Sequence, residues 1–316
     1  MRKGICQIMF GIIAVCLLAG CADGTQFGSE SMVQRKTEPK SEVQKQMFLA
    51  VKKNDLKEAA RCLKLGAGIN DSDENGLVPL HFAAVCQHIE MVKWLLANGA
   101  DVNKQNDLTY WTPLHYALGS DDFTEKLCPV PNSEKTLKLV KILVEAKADV
   151  NAEDDHGITP VYLALVDLKI LKYLSEHGGC LDAGDAYRGE APLHIAVRDA
   201  PLEVIEFILE KGGKNKINAY DGNGYTPLHN AIISMNLEAV KCLVEHGANI
   251  NLVIVEEGKT PLDLADDDLF EILQNVSDYK DDPSKIARYM KKRNEIVKYL
   301  KAHGAVRGKD RTVIKK

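Results

Sequence analysis

Apolar residues in this chain first run together and then recur at intervals. Gly4 to Ala19 is mostly apolar, holds no acidic residue and follows the basic pair Arg2 and Lys3. A basic start ahead of a short apolar run reads as a secretory signal, because a spanning helix needs about 20 apolar residues. Ala22 to Ser41 is polar, lacks any apolar period and predicts a flexible tether. From Glu42 onward, apolar residues return at helical spacing in short stretches, most of which open at a proline and close at a glycine. Proline suits the first turn of a helix, where its missing N–H would have no intrahelical partner. Glycine suits the left-handed residue that ends one.

The prolines repeat in register. Val78-Pro79-Leu80-His81 returns as Thr112-Pro113-Leu114-His115, then more weakly as Thr159-Pro160-Val161 and Ala191-Pro192-Leu193-His194. Thr226-Pro227-Leu228-His229 and Thr260-Pro261-Leu262-Asp263 complete the series, at proline intervals of 34, 47, 32, 35 and 34 residues. The stretches stop at Gly99, Lys147, Gly178, Gly212, Gly247 and Gly304, with Gly66 closing an earlier one. Left-handed glycine is expected at these stops. Tails such as Asp101-Val102-Asn103 and Asp149-Val150-Asn151 follow, and Asp73 to Gly76, Asp154 to Gly157 and Asp221 to Gly224 carry turn chemistry.

These motifs resemble the ankyrin repeat, with its period of about 33 residues and Thr-Pro-Leu-His-x-Ala signature. The resemblance implies an all-α ankyrin-repeat solenoid of seven helix-turn-helix units with hairpin loops over residues 42–306. The first unit, about Glu42 to Asp71, lacks the Pro-Leu-His start and opens on Met47-Phe48-Leu49-Ala50-Val51, as an N-terminal cap would. Two insertions break the period, near residues 121–133 and 266–293, and the second runs into a helical stretch from Pro283 to Tyr299 with Asp282 as its N-cap. Insertions in solenoids gather on one face and are candidate contact sites. Residues 307–316 form a basic tail, read as solvated, with anionic lipid as the alternative contact.

Leu18-Ala19-Gly20-Cys21 resembles the bacterial lipobox. That resemblance implies a lipoprotein signal peptide over residues 1–20, cleavage before Cys21, lipidation of its thiol and of the new amino terminus, and a lipid-anchored tether over 21–41. Several chains together anchor stably, at about 0.8 kcal/mol per buried methylene. The mature protein is then expected in the cell envelope, facing the periplasm. Ala22, where Asp would retain a lipoprotein at the inner membrane, favours the outer membrane, although Asp23 blurs that assignment. A start at Met32 or Met47 would yield a cytosolic form without the signal.

The formal charge of −5 argues against general affinity for nucleic acid. The eight cysteines form no paired-ligand spacing, so no metal site is expected. Cys62, Cys86 and Cys242 fall among apolar helical positions and read as small buried side chains, while Cys128 in the first insertion is the candidate reactive thiol. His81, His115, His194 and His229 form a ladder, but helices in a stack lie about 8–10 Å apart, too far for one ion to bridge. The family assigns them to tying turn to helix. No nucleophile elbow accompanies His177-Gly178-Gly179-Cys180, and Gly258-Lys259-Thr260 lacks a phosphate loop's upstream glycine. No enzyme, cofactor or small-molecule substrate is expected, an unrecognised catalytic site being the alternative from another class.

A protein partner is expected instead. In ankyrin proteins it usually lies on the concave face, made of hairpin tips and the exposed side of each first helix. The residue just before each Thr-Pro start is not required by the repeat: Leu77, Trp111, Ile158, Glu190, Tyr225 and Lys259. Tyr110 replaces the usual hairpin glycine, and Tyr187, Arg188 and Tyr220 lie at other tips. Tyr, Trp and Arg dominate binding hot spots, so Tyr110, Trp111, Tyr187, Arg188, Glu190, Tyr220 and Tyr225 are the candidate contacts. On the first helices Val85, Cys86, Gly119, Ser120, Val166, Asp167, Arg198, Asp199, Ile233 and Ser234 are the matching positions. The layout of anchor plus solenoid resembles that of ankyrin-repeat lipoproteins acting as immunity proteins against secreted antibacterial lipase effectors of type VI secretion. An envelope scaffold for another enzyme or complex is the alternative.

Overall fold

Ahead of each internal proline the backbone is extended and then turns helical. Val78, Thr112, Thr159, Ala191 and Thr226 have ψ of 159–166° as N-caps, and the following proline supplies the helical φ without losing a hydrogen bond. The computed structural model describes residues 42–119, 133–185, 188–266 and 283–308. The signal segment, the tether with Cys21, Cys128, Tyr187, Asp282, most of both insertions and residues 309–316 lie outside these. Among the described residues no helix is long and apolar enough to cross a membrane.

Fourteen helices form seven pairs among the described residues. They are α1 (Glu42–Lys52) with α2 (Leu56–Lys64), α3 (Pro79–Val85) with α4 (Ile89–Ala97), and α5 (Pro113–Leu118) with α6 (Ser133–Glu145). The fourth pair is α7 (Pro160–Leu163), extended by a 3₁₀ turn at Ala164–Val166, with α8 (Leu168–Glu176). The last three are α9 (Pro192–Asp199) with α10 (Leu202–Lys211), α11 (Pro227–Ile233) with α12 (Leu237–Glu245), and α13 (Pro261–Asp266) with α14 (Pro283–Ala302).

First helices pack on first helices along the chain, and from α4 onward second helices pack on second helices. The core runs between the two layers. Leu80, Leu114, Val161, Leu193, Leu228 and Leu262, each just after the proline, are at most 3% exposed. Burying a side chain of this size contributes about 1.5–3 kcal/mol, so one repeated residue type lays down a continuous apolar spine. Cys62 and Cys242 are buried in it, whereas Cys86 is only half-buried.

Most stops are left-handed as expected: Gly66, Gly99, Gly178, Gly247 and Gly304 have φ of 83–95°, and Lys147 takes the same region at 72°. Gly212 differs. Its φ is 178°, which is extended, and a 3₁₀ turn at Gly213–Lys216 follows in place of the left-handed cap. The second helix of the fifth repeat therefore ends by tightening.

Candidate partner-binding surface

Five of the six hairpins close around a polar side chain that takes up backbone N–H groups left without backbone partners. In the second repeat the Asp73 carboxylate accepts the N–H groups of Asn75 and Leu77, both at 2.9 Å. Asp154 does the same for His156 and Ile158, and Asp221 for Asn223 and Tyr225. The third repeat uses Asn106, which accepts from Trp111 N–H at 2.7 Å and from the Thr109 hydroxyl at 3.1 Å. That hairpin, like those closed by Asp185–Glu190 and Ile254–Lys259, is one residue longer than the other three. The longer hairpins lack the Asp-x-x-Gly spacing visible in the sequence.

Neighbouring hairpins are tied to one another. Asp107 N–H donates to the Asn75 carbonyl, Asp155 N–H to Thr109, Gly222 N–H to Arg188 and Val255 N–H to Gly224. The approach is close enough that a Cβ on Gly76 would sit 2.3 Å from the Asp107 backbone nitrogen. A second set of ties comes from the asparagines of the repeat tails. Asn103 donates to the Lys147 carbonyl at 3.0 Å and accepts from Asp149 N–H at 2.8 Å. Asn70 and Asn151 bridge their next repeats in the same two-bond manner, and Asn218 and Asn251 accept from Asn249 and Val306 N–H.

The histidine ladder supplies a third set. His81 Nδ1 accepts Val78 N–H at 3.0 Å, so its proton sits on Nε2, which donates to the Lys104 carbonyl at 2.7 Å in the next repeat. His115 and His194 make the same pair of bonds, to Thr112 and Ile158 and to Ala191 and Ala219. His229 makes the Nδ1 bond in the same way, accepting Thr226 N–H at 3.1 Å. Burial lowers the pKa of His115 and His194, and lowers that of His229 to about 4. Two replacements of the histidine keep its tie to the following segment. In the fourth repeat the Tyr162 hydroxyl donates to the carbonyls of Ala183 and Glu190, and burial raises its pKa. In the seventh, Asp263 accepts from Thr260 N–H at 3.0 Å and from Gly308 N–H at 2.8 Å.

On this frame the predicted contact residues separate. Tyr110 and Tyr220 are exposed, at 52% and 41%. Arg188 is half-buried at its tip. Trp111 is a strut: its ring stacks on His115 at 5.8 Å and its Nε1 donates to Asp154 at 3.0 Å in the next hairpin. Tyr225 reaches across in the same way to Glu257, at 3.3 Å. Glu190 is not a surface group. It is 3% exposed and pairs with Arg198, so its place among the contacts is corrected, as is the idea that the repeat does not need the residue before Thr-Pro. Leu77 at that position is equally buried. On the first helices Val85 is buried, and Asp167 caps α8 by accepting from Lys169 and Ile170 N–H.

Seven large apolar side chains are exposed among the described residues, and six of them lie on hairpins or first helices. Leu108, Tyr110, Tyr220 and Val255 stand on hairpins, and Leu49 and Ile233 on first helices, while Leu65 lies after the second helix of the first repeat. Sequence reading missed Leu108 and Val255, both in longer hairpins. Tyr110 has a further property. Its φ is +56°, where the five corresponding hairpin residues, Gly76, Gly157, Gly189, Gly224 and Gly258, are all glycine at 61–78°. A side chain there costs about 1–2 kcal/mol. Acidic residues frame these groups: Glu74, Asp107, Glu153, Asp155, Glu256 and Glu257 are exposed. Asp154, Asp155 and His156 are close enough to suggest a metal site, but Asp154 closes its hairpin and Asp155 pairs with His156 at 2.8 Å.

A family model described as ankyrin repeats matches three successive stretches, residues 47–138, 130–221 and 213–287. A probable 26S proteasome regulatory subunit, p28, of Saccharomyces cerevisiae is 31% identical over 57% of this chain and 75% of its own length. The putative ankyrin repeat protein YahD of Escherichia coli is 29% identical over 52% of this chain and 94% of its own. The B-cell lymphoma 3 protein homolog of Mus musculus is 32% identical over 57% of this chain and 38% of its own. The chain belongs to the ankyrin-repeat family, whose repeats build protein-interaction modules, and this solenoid is one of them.

Proposed function

We propose that this chain is a lipid-anchored binding protein of the bacterial envelope, and that it seats a protein partner on its hairpin and first-helix side. We further propose that the partner is a secreted antibacterial phospholipase-type effector, neutralised by the complex. The observation that carries the binding reading is Tyr110. An exposed aromatic ring occupies a left-handed position that five sister hairpins give to glycine, and strained backbone of this kind clusters at functional sites. Tyr220 and Leu108 extend the same side. A frame tied by three sets of inter-repeat bonds is already ordered before binding, so little entropy is lost on association.

The anchoring reading rests on Leu18-Ala19-Gly20-Cys21 after its apolar run. A lipid at Cys21 would hold the inhibitor at the bilayer on which a phospholipase acts, and the solenoid would cover the mouth of that enzyme's active site. The test uses the full chain to capture its partner from an envelope extract. The captured protein is then added to phospholipid vesicles with and without the chain. Fatty-acid release that the chain suppresses supports the immunity role. A captured partner without hydrolase activity rejects that role and favours an envelope scaffold. Cys21→Ser should abolish incorporation of labelled palmitate, and continued labelling would reject the anchor.

A further inference from the structure

The last helix carries a charge pattern that neither the repeat nor a partner on the hairpin side uses. Arg288, Lys291, Lys292, Lys298 and Lys301 are all exposed on one half of α14, over about 20 Å of helix. Glu295 is the one acidic residue on that half. The opposite half is the anchoring side: Ile296 and Leu300 are fully buried, and α14 packs on α12 and α13. No described element covers the basic half, and no ion pair joins its five cations to a carboxylate among the described residues. The cations at the foot of the helix are different. Arg293 donates to the Ala265 carbonyl at 3.0 Å, and Arg307 pairs with Asp266.

A terminal repeat needs a polar outer face for solubility, but it does not need a single sign. The other end of the stack shows this. Its exposed charges are of both signs: Lys45 pairs with Glu42 at 3.9 Å and Arg61 with Glu58 at 2.6 Å, and Asp55 is exposed among Lys52, Lys53, Lys57 and Lys64. In a chain of net charge −5, five cations on one face with no carboxylate partner among the described residues stand out, and the sequence beyond adds Lys309, Arg311, Lys315 and Lys316.

We propose that the exposed half of α14 is a docking surface for anionic lipid headgroups, which would lay the C-terminal end of the solenoid against a bilayer. The observations favour a membrane over an acidic protein. The face is a convex helix surface, and it presents no exposed large apolar side chain. A shaped protein interface centres on buried anchors of that kind, whereas a headgroup layer offers diffuse charge that point-like ammonium groups meet without a pocket. Each cation near an anionic surface raises partitioning about fivefold at moderate salt.

The test is amine footprinting of the full chain on vesicles, read residue by residue by mass spectrometry. Phosphatidylcholine vesicles are compared with vesicles containing about one third phosphatidylglycerol, at low salt and at about 0.5 M salt, where exposed charges are screened. This readout is independent of how the N-terminal segment binds. Labelling of Lys291, Lys292, Lys298 and Lys301 should fall several-fold on the anionic vesicles and recover in salt. Lys93, Lys138 and Lys169, exposed on other helices, should be unchanged. The joint variant Arg288→Gln, Lys291→Gln, Lys292→Gln should restore labelling of Lys298 and Lys301 on anionic vesicles. Equal labelling on both vesicle types at low salt would overturn the proposal and point to an acidic protein as the occupant. Protection that persists in the variant would also overturn it, and would move the contact to the tail.

Discussion

At the scale of single residues, the protein distinguishes side chains that hold the repeat from those that do not. Trp111 and Tyr225 look alike in sequence to Tyr110 and Tyr220, yet the first pair reaches across to the next hairpin while the second pair is exposed. Tyr110 and Lys147 share a left-handed backbone, at 56° and 72°. Replacing either with glycine removes strain but adds freedom to the unfolded chain. Tyr110→Gly and Lys147→Gly should each raise the unfolding free energy by about 0.5–1 kcal/mol, measured by urea titration. A loss of stability in Tyr110→Gly would mean that the ring holds the fold. The aromatic residues were legible as candidates because they interrupt the repeat. Which of them are struts was not, because that depends on what the adjoining hairpin presents. Glu190 shows the same limit, since its partner Arg198 lies on its own first helix.

At the scale of elements, stability is distributed over joints between repeats. Asn103 makes two bonds into the next unit. Asn103→Ala should therefore cost about 1–2 kcal/mol in thermal or urea unfolding, and an unchanged protein would show that water replaces the bridge. The histidines add a pH dependence. The folded pKa of His229 is lowered to about 4 by burial, below an unfolded value near 6.5. The native state thus binds fewer protons between these values. Its stability is fully present above about pH 7 and is lost as pH falls through 6.5 towards 4, by about 3 kcal/mol for this residue. His115 and His194 shift in the same direction. Melting temperature should fall between pH 7 and pH 4.5, and His229→Gln should reduce that fall. A flat profile would contradict the assignment. The histidine positions were plain from the Pro-Leu-His motif. Their replacements by Tyr162 and Asp263 were not recognised as equivalents, because tyrosine donates only to carbonyls of the next repeat and the carboxylate only accepts N–H groups, so neither reproduces the histidine's paired bonds.

At the scale of the whole molecule, a regular spine carries irregular surfaces. The spine was readable because each proline start is followed by an apolar residue, leucine in five and Val161 in the sixth, and the six fall in register. The surfaces were readable only in part. Alternating short and long hairpins depend on one extra residue that leaves no motif, so Leu108 and Val255 were missed. Recognition by the hairpin side is tested most directly by the affinity of the captured partner for four forms of the full chain. These are the wild type, Tyr110→Gly, Tyr220→Ala and Lys147→Gly, compared by titration calorimetry. The two tyrosine variants should each weaken binding by at least about tenfold, as loss of a hot-spot aromatic does, while Lys147→Gly binds as the wild type. Equal affinity in all four would contradict recognition by the hairpin side and place it elsewhere on the solenoid.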